Sequence, residues 1–157
     1  MGSKAGILRY AVVWVGAAGA LGVCLLVIRL TDHPLLLASL GGSCVILFGM
    51  PESDMAQPRS LIGGHLLSSL VGLAFLHLGG ADSFVAVAAV ATALVGMMAT
   101  RTIHSPAGAN PIVIFAEGAR WSFLWSPLAI GLVVLLAAAL LLNNRRTGVA
   151  AYPRRWL

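Results

Sequence analysis

The sequence predicts an all-α membrane protein with four long transmembrane helices and two short broken or re-entrant helical segments, arranged as two weakly similar halves. Three observations lead to this fold class. The chain is 59% hydrophobic and 10% charged, with a mean hydropathy of +0.95, whereas a soluble domain is about a quarter charged. Four mostly uncharged runs are long enough to span a bilayer. Two shorter apolar runs are interrupted by proline and glycine.

The four long runs lie at about residues 10–30, 60–80, 83–100 and 121–143. A spanning helix needs about 20 mostly apolar residues, which each run approaches or exceeds. Lys4 and Arg9 precede the first run, but that run is longer than the apolar part of a signal peptide, so we expect a retained helix. We therefore predict one transmembrane domain over residues 1–157, with a basic cytoplasmic tail at 144–157.

The two shorter runs, at about 34–50 and 105–117, share a pattern. Each follows a histidine and a nearby proline, His33-Pro34 in the first and His104-Ser105-Pro106 in the second. GGSCVILF at 41–48 can be aligned with AGANPIVIF at 107–115, which divides the chain into pseudo-repeats at about 8–80 and 82–143. Matching interruptions in two halves of a membrane protein are typical of a transport site. Such backbone must be covered by protein or by a water-filled cavity.

Two longer strings are similar to the signature blocks of a known family. They are HPLLLASLGGSCVILFGMPESDMAQPRSLIGGHLLSSLVG and TRTIHSPAGANPIVI. They resemble the HPP family, small integral membrane proteins of bacteria and plant plastids. The resemblance covers the chain from His33 to about Leu142, and AQPR followed by IGGH is its most specific part. It implies four membrane spans and a role in nitrite transport, as in some plastid and cyanobacterial members. The tripeptide His-Pro-Pro appears here as His33-Pro34-Leu35.

The interrupted segments suggest an anion site. A helix start presents unsatisfied N–H groups and a partial positive charge, and proline is favoured in its first turn. Helix starts at Pro34 and at Pro106 or Pro111 could therefore face one central cavity and bind an anion there. The candidate polar donors beside these starts are Ser39, Ser43 and Asn110.

Charged residues flank the same segments. Arg59 directly precedes the second long run and Arg101 directly follows the third. Two alternatives remain open, because each guanidinium could reach to lipid headgroups or face the cavity and attract an anion. Glu52, Asp54 and Glu117 could neutralise these arginines. The spacing of Glu117 and Arg120, three residues apart, is compatible with a weak pair on a helix surface.

Three histidines complete the predicted site. His33 and His104 begin the interrupted segments, where they could cap backbone groups or carry protons. His65 lies among small residues in the second long run, where it could bond to another helix or bind a ligand. The predicted substrate-binding residues are Arg59, Arg101, His33, His104, Ser43, Asn110 and His65.

Several classes of protein do not fit the sequence. The basic residues flank apolar runs instead of forming a nucleic-acid surface. Cys24 and Cys44 lie inside apolar runs, and no metal-binding spacing is present. The chain also lacks a nucleophile paired with a base. We therefore expect no nucleic-acid partner, no metal, no cofactor and no enzymatic activity.

Topology and function each leave two alternatives. Re-entrant segments would give four spans, while crossing segments would give six and place Arg59 and Arg101 on the cytoplasmic side, which the charge distribution favours. Both arrangements keep the termini in the cytoplasm, and we expect a bacterial inner (plasma) membrane protein.

A channel or secondary transporter for a small inorganic anion is the first functional hypothesis. A non-transporting scaffold or sensor subunit is the second. With few helices per chain to enclose a pathway, we expect a homo-oligomer in contact with lipid.

Overall fold

The computed structural model describes residues 4–145 and 151–156. Its α-helices are α1 (Lys4–Ile28), α2 (Leu36–Cys44), α3 (Pro58–Gly79), α4 (Ser83–Thr100), α5 (Asn110–Glu117) and α6 (Ile130–Asn143). Shorter helical turns are Val45–Gly49, Asp54–Ala56, Ser105–Ala109, Trp121–Leu124 and Trp125–Ala129. The described ranges contain no β-strand. The all-α prediction is confirmed.

Four helical stretches are long and apolar enough to cross a membrane. They are Gly6–Ile28, Pro58–Gly79, Ser83–Thr100 and Trp121–Asn143, and they coincide with the four predicted runs. The shorter apolar helix Leu36–Gly49 occupies the first predicted interruption. The turn Ser105–Ala109 and α5 occupy the second. The prediction of four long helices and two short segments is therefore confirmed.

Contacts between helix termini define one end of the bundle, which we call the arginine end after Arg59 and Arg101. The guanidinium of Arg59, at the start of α3, donates a 2.8 Å hydrogen bond to the carbonyl of Thr100, at the end of α4. The amide of Asn143, at the end of α6, donates to the carbonyl of Leu47 beyond α2. The ends of α2, α4 and α6 therefore meet the start of α3 there.

The opposite end, which we call the Glu117 end, collects the other termini. The ring of His77, near the end of α3, lies 5.5 Å from the ring of Trp121, at the start of the stretch Trp121–Asn143 that ends in α6. His33, just before α2, contacts Glu117 at the end of α5. Each short segment consequently runs from one end of the bundle to the other. The halves α1–α3 and α4–α6 run in opposite senses.

Glycines let the second interrupted segment lie between α2 and α3. A Cβ atom added to Gly64 would lie 2.7 Å from the carbonyl oxygen of Thr102, and one added to Gly72 would lie 2.9 Å from Cα of Pro111. From the other side, a Cβ on Gly42 of α2 would lie 3.1 Å from a proline carbon of the same segment. Backbone approaches this close need small residues, as helix packing in membranes generally does.

Only some of the glycines in α1 allow close packing against another helix. A Cβ on Gly16 would meet a side-chain carbon of Leu142 at 2.8 Å, so this glycine brings α1 against α6. Gly19 and Gly22 have open space where a Cβ would stand. These two glycines therefore mediate no close helix contact within the described chain, because α1 lies at the margin of the bundle and most of its residues are exposed or half-buried.

Candidate functional site

Polar side chains from α2, α3 and the second interrupted segment meet inside the bundle. We call this group the polar cluster, and its buried members are Ser39, Ser43, His65, Ser68, Ser69, His104 and Asn110. Buried polar groups are costly unless they are hydrogen-bonded, and neither lipid nor apolar side chains can bond them. The cluster brings together four of the predicted site residues, Ser43, His65, His104 and Asn110.

Ser43 stands between the two histidines. Its hydroxyl oxygen lies 2.9 Å from Nε2 of His65 and 2.9 Å from Nε2 of His104. The other ring nitrogen of His104, Nδ1, lies 2.7 Å from the carbonyl oxygen of Met55. A carbonyl only accepts hydrogen bonds, so Nδ1 carries the hydrogen and Nε2 of the neutral ring accepts.

Asn110 determines the tautomer of the other histidine. Its amide nitrogen lies 3.0 Å from Nδ1 of His65 and donates a 2.8 Å hydrogen bond to the hydroxyl of Ser69. Its carbonyl oxygen accepts from the hydroxyl of Ser39 at 2.7 Å. An amide nitrogen only donates, so Nδ1 of His65 accepts and Nε2 carries the hydrogen.

These two tautomers, assigned from the hydrogen-bonding partners, give the central bonds one direction. Asn110 donates to His65, His65 donates to Ser43, Ser43 donates to His104, and His104 donates to the carbonyl of Met55. Each ring nitrogen has a partner. The chain of bonds connects α2, α3 and the second segment through groups that would be costly to leave unpaired.

The two predicted arginines lie apart from the cluster, at the arginine end. They line a polar recess of about 220 Å³ whose lining residues are Asp54, Gln57, Arg59, Ser60, Arg101 and Arg155. Three guanidinium groups face a single carboxylate there. The start of α3 adds a partial positive charge, since the first N–H groups of a helix have no partner within it. The recess is therefore electropositive.

The string AQPR and the tail form one wall of this recess. The side-chain oxygen of Gln57 accepts a 2.8 Å bond from the backbone N–H of Arg154, and the hydroxyl of Tyr152 donates a 2.7 Å bond to the carbonyl of Ala56. Burial raises the pKa of the Tyr152 hydroxyl, which keeps it protonated as a donor. These bonds bring Arg155 to the recess. Of the predicted basic tail, residues 146–150 and 157 lie outside the described part of the chain.

Tyr152→Phe should loosen the tail, because it removes this single buried hydrogen bond. A bond of this kind contributes about 1 kcal/mol, which is about a fivefold change in the population of the detached tail. We expect tryptic cleavage after Arg154 and Arg155 to accelerate by that factor in detergent-solubilised protein. Tyr10→Phe is the matched control, because Tyr10 is 75% exposed on α1. Equal cleavage rates in both variants would show that the bond does not hold the tail.

His33 lies at the Glu117 end, away from both arginines. Its Nδ1 is 2.8 Å from one carboxylate oxygen of Glu117, and the other oxygen accepts a 2.7 Å bond from the backbone N–H of Leu35. Glu117 thus caps the start of α2 and is not available to the arginines. The expected surface pair with Arg120 is wrong, because α5 ends at Glu117 and Gly118 turns the chain with a positive φ of 57°.

The helix starts differ from the expected arrangement as well. The start of α2 faces the carboxylate of Glu117, and α5 continues directly from the turn Ser105–Ala109 with helical backbone at Ala109. Neither start presents free N–H groups to a central cavity. The helix start at the electropositive recess is that of α3, where Gln57 is extended and Pro58 begins the helix. This start was not among the predicted ones, although Pro58 in AQPR signals it.

The remaining acidic and sulfur-containing residues add no metal centre to the described residues. No group of three His, Cys, Asp or Glu side chains in residues 4–145 and 151–156 is placed to hold a metal ion. Glu52 pairs with Arg154 at 3.5 Å between exposed side chains, while Asp54 lines the recess. Cys24 and Cys44 are both buried and unbridged.

The fold and the cluster define a polytopic helical membrane protein whose buried polar centre lies beside a basic recess. The HPP transmembrane region family matches residues 3–153, and the chain belongs to this family. Two proteins of Dictyostelium discoideum, both named as transmembrane proteins, are similar to it. One is 35% identical over 137 residues, covering 80% of this chain and 44% of the relative. The other is 33% identical over 129 residues, covering 77% and 45%. The chain thus spans less than half the length of these relatives. No solved structure matches it.

Proposed function

We propose that the protein is a membrane channel or secondary transporter for a small inorganic anion, with nitrite as the first candidate. The observation that carries the proposal is the recess, where Arg59, Arg101 and Arg155 face one carboxylate at the start of α3. Arg101 also begins the segment that enters the bundle and brings His104 into the polar cluster. A basic entrance followed by buried polar side chains suits the attraction and passage of an anion.

The size and chemistry of the recess favour a small oxyanion. A volume of about 220 Å³ holds a few water molecules and one ion of two to four atoms, given that a water molecule occupies about 30 Å³ in the liquid. Guanidinium groups present N–H donors in a planar fork, which matches the two oxygens of nitrite, nitrate or formate.

Charge also suggests how the protein sits in its membrane. The described arginines at the arginine end are Arg9, Arg59, Arg101, Arg145, Arg154 and Arg155. The Glu117 end carries Arg29 and Arg120 together with acidic side chains. Under the positive-inside rule we propose that the arginine end faces the cytoplasm, with both termini, in a bacterial inner membrane. We propose a homo-oligomer as well, because the wide apolar surface of α4 is open to lipid or to another copy.

A non-transporting scaffold or sensor is the second candidate, and one observation favours it. The polar cluster is closed, with each histidine nitrogen already bonded within the protein. Passage of an ion through the centre would therefore require the second segment to move. A scaffold would need no such movement. Anion flux through purified protein separates these two candidates.

Arg59→Gln and Arg101→Gln should each reduce anion flux about tenfold, because a hydrogen bond to a charged group contributes about 1.5–3 kcal/mol and each 1.4 kcal/mol is a factor of ten. The measurement is nitrite uptake into proteoliposomes, with nitrate, formate and chloride compared. Arg120→Gln is the matched control, since it removes an exposed arginine at the Glu117 end. If wild-type protein carries none of these anions, the scaffold explains the protein better. If all three variants behave alike, transport does not use the recess.

A further inference from the structure

The hydroxyl of Ser43 has two possible acceptors and one hydrogen. One acceptor is Nε2 of His104 at 2.9 Å, and the other is the carbonyl oxygen of Ser39, one turn earlier in α2, at 3.1 Å. A carbonyl oxygen has two lone pairs, so this one can bond the helix N–H and a hydroxyl together. While His104 is neutral, its Nε2 needs a donor, and the Ser43 hydroxyl is the one in contact.

Addition of one proton to His104 leaves every partner in this part of the cluster satisfied. The lone pair of Nε2 takes up one proton that originates as hydronium in the bulk solvent, and the new N–H donates to the oxygen of Ser43. The Ser43 hydroxyl hydrogen then turns from His104 to the carbonyl of Ser39. The Ser43 oxygen accepts from both histidines with its two lone pairs. A single hydroxyl rotation thus converts one fully bonded state into another.

His65 does not have the same freedom. A proton on its Nδ1 would face the amide nitrogen of Asn110 at 3.0 Å, which places two donors against each other. Relief would require the amide to turn over and the hydroxyls of Ser39 and Ser69 to change partners. The two rings are also only 5.0 Å apart, so two positive charges there would repel strongly. The hydrogen-bonding geometry therefore accommodates one proton, and it does so at His104 with the fewest rearranged bonds.

The position of His104 connects this proton to the recess. His104 follows Arg101 by three residues, and its Nδ1 donates a hydrogen bond to the carbonyl of Met55, a residue that is 38% exposed. Met55, Asp54 and Arg101 line a second surface pocket that adjoins the recess. The titratable group in contact with His104 is His65 on α3, at 5.0 Å between ring centroids. The charged side chains beyond Met55 are those that line the recess, Asp54, Arg59, Arg101 and Arg155.

We infer that His104 is the proton-binding residue of a proton–anion symporter, so that one proton crosses with each anion. The inference rests on the proposed transport function. A proton on His104 adds a positive charge beneath an electropositive recess, which favours the bound anion. The anion in turn favours the proton by the same free energy, since coupling between two binding events is reciprocal. Together the two ligands carry no net charge through the low dielectric of the bundle.

The test measures nitrite entry and proton entry together in proteoliposomes that contain a pH-sensitive dye. Protein-free liposomes correct for nitrous acid that crosses the lipid unaided. Wild-type protein should acidify the interior in proportion to nitrite entry. His104→Gln and Ser43→Ala should lower the proton movement at least tenfold. The control is His77→Gln, at the Glu117 end, outside the polar cluster and the recess. This control should keep the wild-type ratio.

The two proposals fail in different ways. Nitrite entry by wild-type protein without proton movement above the protein-free baseline would overturn the coupling and leave anion transport standing. If no nitrite enters at all, transport fails, and ¹⁵N NMR titration of the histidines in purified protein decides the proton site. The ring signal lost in His104→Gln should be the one that gains a proton at Nε2, while that of His65 stays neutral. A titrating His65, or a His104 that never titrates, would overturn the assignment.

Discussion

Gly64→Ala is expected to destabilise the protein by about 3 kcal/mol, the upper part of the usual range for overpacking a tight interior. The added methyl group would lie 2.7 Å from the carbonyl oxygen of Thr102 and 2.8 Å from Cβ of His104. Neither atom is the end of a flexible side chain, so α3 and the second segment must move apart. That movement would also stretch the bonds of the polar cluster. The measurement is thermal unfolding in detergent.

Gly19→Ala provides the matched control for this experiment. Gly19 is also inside a long helix, but a Cβ there has no atom within 4 Å. Alanine is the better helix former by about 1 kcal/mol, so the melting temperature of this variant should stay the same or rise slightly. If the Gly64→Ala protein unfolded at the same temperature as the wild-type protein, that result would contradict the close packing of the second segment on α3.

Asn110→Leu is expected to cost about 3 kcal/mol, although the two side chains are similar in size. The substitution leaves Nδ1 of His65 and the hydroxyl of Ser69 without the donor they now share. A buried polar group left unpaired costs about 1–3 kcal/mol. The loss of the Ser39 hydrogen bond adds less to this cost, because the Ser39 hydroxyl can donate to the carbonyl of Pro106 at 2.9 Å instead. Unfolding in detergent measures the loss, and ¹⁵N NMR should show His65 in a mixture of tautomers.

Ser68→Ala serves as the comparison for the loss of an ordinary buried bond. Its hydroxyl donates one 2.7 Å bond to the carbonyl of Ala107, in the same segment as Asn110. We expect this variant to lose about 1 kcal/mol, in line with a single neutral hydrogen bond. Equal losses in the two variants would mean that Asn110 does not organise the histidines.

Sequence patterns predicted the helices well because membrane crossing imposes length and hydrophobicity on each one separately. The run at 83–100 coincides with α4, and the proline-rich interruption at 105–117 coincides with the turn Ser105–Ala109 and α5. Each of these is a local property that a window of residues carries by itself. The interruption also marked buried backbone correctly, since His104 and Asn110 are fully buried.

Pairings over long sequence separations could not be predicted in the same way. His33 and Glu117 are 84 positions apart, and Gln57 and Arg154 are 97 apart. Each pair depends on how whole helices dock, and many other partners are compatible with the same sequence. The sequence pointed separately to each of four cluster residues, Ser43, His65, His104 and Asn110. That they lie together depends on the close packing at the glycines of α3, and the sequence does not show which residues pack against those glycines. The IGGH string was the sequence feature that could have indicated this convergence. Its glycines leave room for the second segment to pack closely on α3, and its histidine, His65, hydrogen-bonds to Asn110 of that segment.

The attachment of the tail uses mostly main-chain atoms on the tail side. Gln57 binds the backbone N–H of Arg154, and Asn144 binds the backbone N–H and carbonyl of Tyr152. On the tail side, the side-chain contacts are the tyrosine hydroxyl and the exposed pair of Arg154 with Glu52, and an exposed ion pair contributes little. The charges at 154 and 155 can therefore vary with little loss of docking. Substitutions at positions 154 and 155 could thus change the electrostatic potential at the mouth of the recess without changing the packing of the helix bundle.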